Sequence, residues 1–405
     1  MGVSHSLQDP AGRELSRRAL VLSLHPDSSA FRRWVGLHAS AIDWPWVLRR
    51  AQAHKVAALL AARVEECGLM TSLDADVGKR LREVRQEARA RGQVAHRTLQ
   101  RLAELFGDAG IPFFVIKGSV LAEHVYGDAS LRRFADVDLV TEREMLGQAE
   151  ALLRSLGYRF GQVEELLAAS PKDRIESQAA EALTRRFYER FQYELPFDAP
   201  RGGDPRGGGL LPVDLHWQVA PAFRLKVGAQ QLWEQTVPVV VAGTRITTFN
   251  PAATLLHLAV HASTCALAGF RLLHLCDVAW AATRWNDQAD GLWALAETWG
   301  VTTHLGDVLE TVERGLGIPI PSPLRRGARR QTLLRPSLRQ VATEAFLVEA
   351  GRDSDWSTLR RVWAEVVWNV AMGCLRWNVM RSVRTRLARL QWAVWRWRHR
   401  RRTAS

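Results

Sequence analysis

Through residues 44–69 the apolar positions Val47, Ala51, Val56, Leu59, Leu60 and Val64 recur mostly every three or four residues, the period of one helix face. Residues 76–107 continue that period with Arg and Glu on the opposite side, so 30–108 reads as a helical layer. The period changes after Gly110-Ile111-Pro112. Phe113-Phe114-Val115-Ile116 is a short β-type run, with Pro before it and Gly118 after it. A helical stretch at 120–125 and a second strand at 135–140 follow. Residues 142–156 read as an amphipathic helix that Gly157 would end. Tyr158-Arg159-Phe160, 192–197 and 211–219 are further strand candidates. Between the last two lies 199–209, rich in Gly and Pro. It reads as a hairpin-type loop, and a phosphate cradle is the weaker alternative because the Gly-Lys-Ser/Thr ending of a P-loop is missing. From Asn250 the chain turns helical again over 252–283, 286–299 and 302–315. The stretch 255–283 is apolar enough to raise the question of a membrane span. His257, His261, Arg271, His274 and Asp277 interrupt it, which favours a buried helical pair. Helical blocks on either side of a strand cluster define an α+β fold with a small mixed sheet.

Composition changes this picture in three places. At 405 residues, 47% hydrophobic and 24% charged, the chain suits two or three globular domains, and neither global disorder nor a many-span membrane protein. The net charge of +13 would suggest nucleic acid, but residues 351–405 carry +10 of it, which leaves the other 350 residues near neutral. Only Lys55, Lys79, Lys117, Lys172 and Lys226 are lysines among 55 basic residues, so a lysine in a motif is conspicuous. The four cysteines (Cys67, Cys265, Cys276 and Cys374) form no CxxC pair. Neither zinc nor a disulfide framework is expected, and a reducing cytoplasm fits. The N-terminus has no apolar signal core, so secretion is not expected.

The residues that suggest chemistry are Lys117-Gly118-Ser119, Arg132, Asp136-Val137-Asp138 and, later, Val213-Asp214-Leu215-His216-Trp217. On a strand Asp136 and Asp138 would share one face, about 6.5–7 Å apart by strand rise, a spacing suited to a pair of divalent ions. Gly118 would let a phosphate approach the backbone, and Ser119 would open a helix whose free N–H groups favour an anion. If the strand carrying Asp214 lies beside 135–140, three carboxylates converge. Asp214 could then complete a metal site and accept the proton of an attacking hydroxyl. Taken alone, Asp-x-Asp is equally the solvated end of a strand, and His216 a structural histidine beside Asp214. His261 is either a hydrogen-bonded core residue or a contact to nucleotide or acceptor. Asp277 reads as structural, paired with Arg271 or another basic group, or capping a buried amide.

The ordered set resembles the nucleotidyltransferase superfamily, with its DNA polymerase beta-like fold. More narrowly it resembles a poorly characterised bacterial branch with a Lys-Gly turn, an Arg four residues before the first Asp, and Asp-Leu-His-Trp. The resemblance covers roughly residues 40–290. Sixteen residues separate Ser119 from Asp136, longer than the general superfamily spacing and shared by the branch. The resemblance implies that Gly118 and Ser119 bind a triphosphate, with Lys117 and Arg132 as further nucleotide contacts. It implies Asp136, Asp138 and Asp214 as catalytic metal ligands, for two Mg²⁺ ions or for Mn²⁺. His216 and His261 would be substrate contacts. Members of the branch accompany peptide natural-product or exopolysaccharide gene sets.

The expected organisation is an N-terminal helical region (1–108), a catalytic core (109–249), a C-terminal helical domain (250–350) and a basic Trp/Arg-rich tail (351–405). In the tail Val379, Val383, Leu387, Leu390, Val394 and Trp397 recur every three or four residues with Arg on the other faces. Such a helix could dock on the helical domain, lie on an anionic membrane surface, or hold an anionic partner through 376–402. The activity expected is transfer of a nucleoside monophosphate from an NTP, with pyrophosphate release, to a small-molecule, peptide or sugar acceptor in the cytoplasm or at the membrane periphery. Two alternatives stay open: a catalytically idle nucleotide-binding scaffold, and a toxin–antitoxin type transferase acting on tRNA or protein. The near-neutral body argues against a large nucleic-acid footprint.

Overall fold

The computed structural model describes residues 10–161, 181–182, 185, 188–189, 192–200, 209–220, 225, 227–264, 271–288, 291–325 and 348. The basic tail and residues 201–208 of the Gly/Pro segment lie outside the described residues. In chain order the helices α1 (Pro10–Ser23), α2 (Ser29–His38), α3 (Trp44–Ala53), α4 (Ala57–Glu66) and α5 (Ala75–Asp108) come first. Then follow β1 (Phe113–Ile116), α6 (Gly118–His124), β2 (Val137–Thr141), α7 (Leu146–Ser155), β3 (Arg159–Phe160), β4 (Glu194–Asp198) and β5 (Val213–His216). After these come α8 (Ala229–Trp233), β6 (Thr236–Val241), β7 (Thr244–Phe249), α9 (Pro251–Thr264), α10 (Leu272–Arg284), α11 (Leu292–Trp299) and α12 (Thr302–Thr311). The fold is α+β, as the patterning predicts. Among the described residues no helix is long and apolar enough to cross a membrane.

The chain divides into two compact units. The sheet unit is built from the described parts of Val94–Ile116 and Ala135–Thr248. Its seven strands run in the order β3-β4-β5-β2-β1-β7-β6. β2 pairs antiparallel with β1 and parallel with β5, so the sheet is mixed. All five residues of β2 are buried, and Leu139, Leu195 and Leu215 are fully enclosed, which makes β2 and β5 the middle of this core. Phe106 of α5 meets Phe113 edge-on at 5.3 Å, and Phe114 meets Trp233 at 4.9 Å. Gly157 ends the α7 region at φ +86°, the left-handed cap expected of it. The sequence reading omits β6 and β7. Their signal was the β-branched run Thr236-Val237-Pro238-Val239-Val240-Val241, which Pro238 obscures by suiting only a sheet edge, where β6 lies. Ala242 and Gly243 join the two strands, both with positive φ (47° and 82°), the conformation a two-residue hairpin requires.

The helical unit is built from the described parts of Met1–Gln93, Lys117–Phe134 and Phe249–Met372. Its core includes Leu20, Leu24, Phe31, Leu59, Leu60, Leu256 and Trp299. α9 lies against α10 and α12, so the apolar stretch 255–283 does form a buried helical pair. The helical region 44–69 consists of two helices, broken at His54-Lys55-Val56. There Lys55 adopts φ +59° and cannot continue α3.

Candidate active site

In the sheet unit, register brings the acidic residues together. Asp138 on β2 is the direct partner of Asp214 on β5. His216, two residues on, therefore shares their face, while Val137, Leu139 and Leu215 fill the other. Asp138 Oδ1 lies 3.2 Å from His216 Nε2. One ligand atom from each of Asp138, Asp214 and His216 falls within 4.8 Å of the others. Asp138 and His216 are buried and Asp214 is half-buried. Glu194, at the start of β4, is the register partner of His216. Its Oε2 lies 3.5 Å from His216 Nδ1. The imidazole thus sits between two carboxylates.

Bringing so many acids together without a cation is unfavourable, and Asp214 registers that. Burial first, then the charges of Glu194, Asp138 and Asp136, push its carboxyl up to about 8, with His216 acting in the opposite sense. Two carboxylates and an imidazole this close together could hold a divalent cation.

Asp136 differs from expectation in its local structure. The ladder begins at Val137, whose N–H donates to the Pro212 carbonyl at 2.9 Å, so Asp136 lies on the bend before the strand. It is half-buried and close enough for its charge to raise Asp214, but it is not among the three residues within 4.8 Å. Sequence reasoning missed Glu194. The signal was a carboxylate in the strand candidate 192–197, and only the β4–β5 register gives it a neighbour. Trp217 completes the Asp-Leu-His-Trp motif as a buried residue, with the Arg143 guanidinium 5.6 Å from its ring.

The remaining motif residues belong to the helical unit. Lys117 follows Ile116, the register partner of Asp138, directly in the chain. Lys117 adopts φ +57° and ψ −139°, a region that glycine fills easily and other residues only under strain. Gly118 follows at φ +43° and opens α6, with Ser119 buried behind it. Arg132 is buried and gives its guanidinium to Asp277: Nε donates to Oδ1 at 2.7 Å and one terminal nitrogen to Oδ2 at 2.8 Å. Its other terminal nitrogen lies 3.4 Å from the Gly118 carbonyl, so Arg132 holds the Lys-Gly-Ser turn. Tyr126 Oη donates to Asp277 Oδ1 at 2.9 Å and its ring stacks on Trp280 at 4.6 Å. Asp277 is therefore structural, with Arg132 rather than Arg271 as its partner.

His261 meets the ring of His274 at 5.0 Å and that of His257 at 6.2 Å. Burial, then the charges of Lys55, Arg132, Lys117 and Arg271, hold His274 neutral, with its pKa lowered to about 3.

In the sheet unit the paired strands β2 and β5 thus present Asp138, Asp214 and His216 on one face. A family model for an uncharacterised nucleotidyltransferase matches residues 40–317, and the chain belongs to that family. It is a nucleotidyltransferase. No curated protein matches the chain. Among solved structures it is similar to the solution structure of the antibiotic-resistance factor ANT(2'')-Ia, at 15% identity and a TM-score of 0.31 over 51% of this chain and 91% of that one. A crystal structure of ANT(2")-Ia in complex with adenylyl-2"-tobramycin matches at 15% identity and a TM-score of 0.29, over 49% and 93%.

Proposed function

We propose that this enzyme moves a nucleoside monophosphate from an NTP to an acceptor hydroxyl or phosphate, with Mg²⁺ as its metal. The acceptor would be a small molecule, a peptide or a sugar of bacterial natural-product or polysaccharide synthesis. The observation that carries this reading is the convergence of Asp138, Asp214 and His216 within 4.8 Å on paired strands. The donor set fits a divalent ion: two carboxylates and an imidazole, with Asp136 and Glu194 adding negative charge that raises Asp214. Asp138, Asp214 and His216 would hold the metal, with Asp136 beside them. The imidazole nitrogen also suits Mn²⁺.

A divalent ion held by these residues would supply charge neutralisation for the transferring phosphoryl oxygens and for the departing pyrophosphate. The protein's own residues do the rest. Asp214 would take the acceptor's proton on a carboxylate oxygen. Lys117, Gly118 and Ser119 receive the phosphates, and Arg132 keeps the turn in shape from its bond to Asp277. Release of pyrophosphate from mixed NTPs and Mg²⁺ tests the reading. Asp136→Asn, Asp138→Asn and Asp214→Asn should each lower it by about 10²–10⁴-fold while the protein stays folded. Full activity in Asp138→Asn would sink the mechanism. Mass spectrometry of the acceptor pool after the same incubation identifies what is modified.

A further inference from the structure

An imidazole serves a metal only through a nitrogen lone pair, so the ring's one proton must sit on the other nitrogen. His216 has a carboxylate at each end of its ring. Asp138 Oδ1 lies 3.2 Å from Nε2, and Glu194 Oε2 lies 3.5 Å from Nδ1. Asp138 belongs with Asp214 and His216 to the group within 4.8 Å, and Glu194 does not. Nε2 is therefore the nitrogen turned toward the cluster, and Nδ1 the one turned away from it toward Glu194.

The strands hold this arrangement. Glu194 and His216 are direct partners across the antiparallel β4–β5 pair, so they share the face that carries Asp138 and Asp214. Leu195 and Phe197 are enclosed on the opposite face. The Trp217 N–H donates to the Tyr193 carbonyl at 3.2 Å, so strand pairing continues past Glu194. The Tyr193 ring meets the imidazole at 5.8 Å. The His216 side chain is 1% exposed and that of Glu194 30%. The ring is thus fixed, while the carboxylate is free enough to close the few tenths of an ångström to a normal hydrogen bond.

We propose that Glu194 is a positioning residue: it accepts a hydrogen bond from His216 Nδ1–H and so presents the Nε2 lone pair to the ion held with Asp138 and Asp214. This rests on the metal assignment made under Proposed function. A carboxylate on Nδ1–H also makes Nε2 a stronger donor to the ion.

The experiment is Mn²⁺ binding by the full chain, read by electron paramagnetic resonance as free against bound ion, with melting curves to check folding. Glu194→Ala should weaken Mn²⁺ binding about 10–100-fold. Glu194→Gln should lose clearly less, because its amide oxygen still accepts from Nδ1–H, with about half the strength of a carboxylate. In a His216→Asn background, Glu194→Ala should change Mn²⁺ affinity by no more than about twofold, since its action runs through the ring. Asp198→Asn, at the exposed far end of β4, should leave binding unchanged. No loss in Glu194→Ala, equal losses in Ala and Gln, or an undiminished loss without His216 overturns the proposal and leaves the metal assignment standing. No Mn²⁺ binding by the parent overturns both. Pyrophosphate release reports separately: if the parent releases none while the Glu194 series behaves as expected, the positioning role stands and the nucleotidyl-transfer reading fails.

Discussion

Arg132 and Asp277 lie 145 residues apart in sequence and meet as a buried two-point ion pair, at 2.7 and 2.8 Å. Tyr126 completes the carboxylate's hydrogen bonding. Breaking one side leaves a buried charge uncompensated, so Asp277→Asn or Arg132→Met should destabilise the helical unit by about 3–5 kcal/mol. Replacing both with apolar residues, Arg132→Met with Asp277→Leu, should recover part of that loss. Denaturant unfolding of the four proteins checks it. Equal stability of Asp277→Asn and the parent would mean that the pair is not buried as described.

Lys117 offers a contrast between stability and function. Its φ of +57° and ψ of −139° suit glycine. Lys117→Gly should therefore leave thermal stability unchanged or raise it by about 1 kcal/mol, while NTP affinity falls at least about tenfold. A melting curve and a nucleotide titration on the same preparation decide this. A variant that is both less stable and equally tight in binding contradicts it.

His216 should set the choice of ion. It is the nitrogen donor beside Asp138 and Asp214, and Glu194 flanks its other ring nitrogen at 3.5 Å. His216→Asn replaces that nitrogen with an amide, so Mn²⁺ affinity should fall more than Mg²⁺ affinity. Mn²⁺ electron paramagnetic resonance, read as free against bound ion with Mg²⁺ in competition, measures the ratio without turnover. An unchanged ratio would place His216 outside the metal's coordination.

Acid should loosen the helical unit through two histidines. Burial, then the Arg50 charge, lowers His54 to about 3. His274 is lowered to about 3 as well. The unfolded chain takes up these protons near pH 6.5 and the folded one only near 3. The folded state thus binds fewer protons across that window, and stability falls as pH falls from about 6.5 towards 3, by up to about 1.4 kcal/mol per pH unit for each histidine. His54 also donates from Nε2 to the Val348 carbonyl at 2.8 Å, where Arg50 converges, so protonating Nδ1 would cost it the Leu272 N–H. Melting temperature against pH should drop below pH 6.5, and less steeply in His54→Gln. A flat profile from pH 7 to 4 would contradict the burial of both rings.

Legibility in the sequence followed range. The strands β1, β2, β4 and β5 and the helices around them were legible because side-chain period and turn residues act over a few positions. The carboxylates Asp138 and Asp214 were legible for the same reason: each interrupts an apolar strand. Glu194 was not, because nothing within its own strand distinguishes it from any solvated Glu. Its meaning comes from standing opposite His216 across β4 and β5. The β6–β7 hairpin was missed because Pro238 weakens a run that only an edge position permits. The break between α3 and α4 leaves no mark in the apolar period of 44–69, which runs through it.

By itself, then, the chain determined the order and type of its central elements, the apolar faces that form the cores, and which residues could carry metal or phosphate chemistry. Those are local properties, set by spacing, turns and the cost of a charge in an apolar strand. Tertiary structure decided the partners. It gave Arg132 to Asp277 and not to a solvent-facing role, placed His216 between Asp138 and Glu194, moved Asp136 off the strand, and set the ring of His261 against that of His274. Any of fifty arginines could satisfy a carboxylate. Which one does depends on strand register and on how helices distant in sequence pack, and neither leaves a periodic trace in the chain.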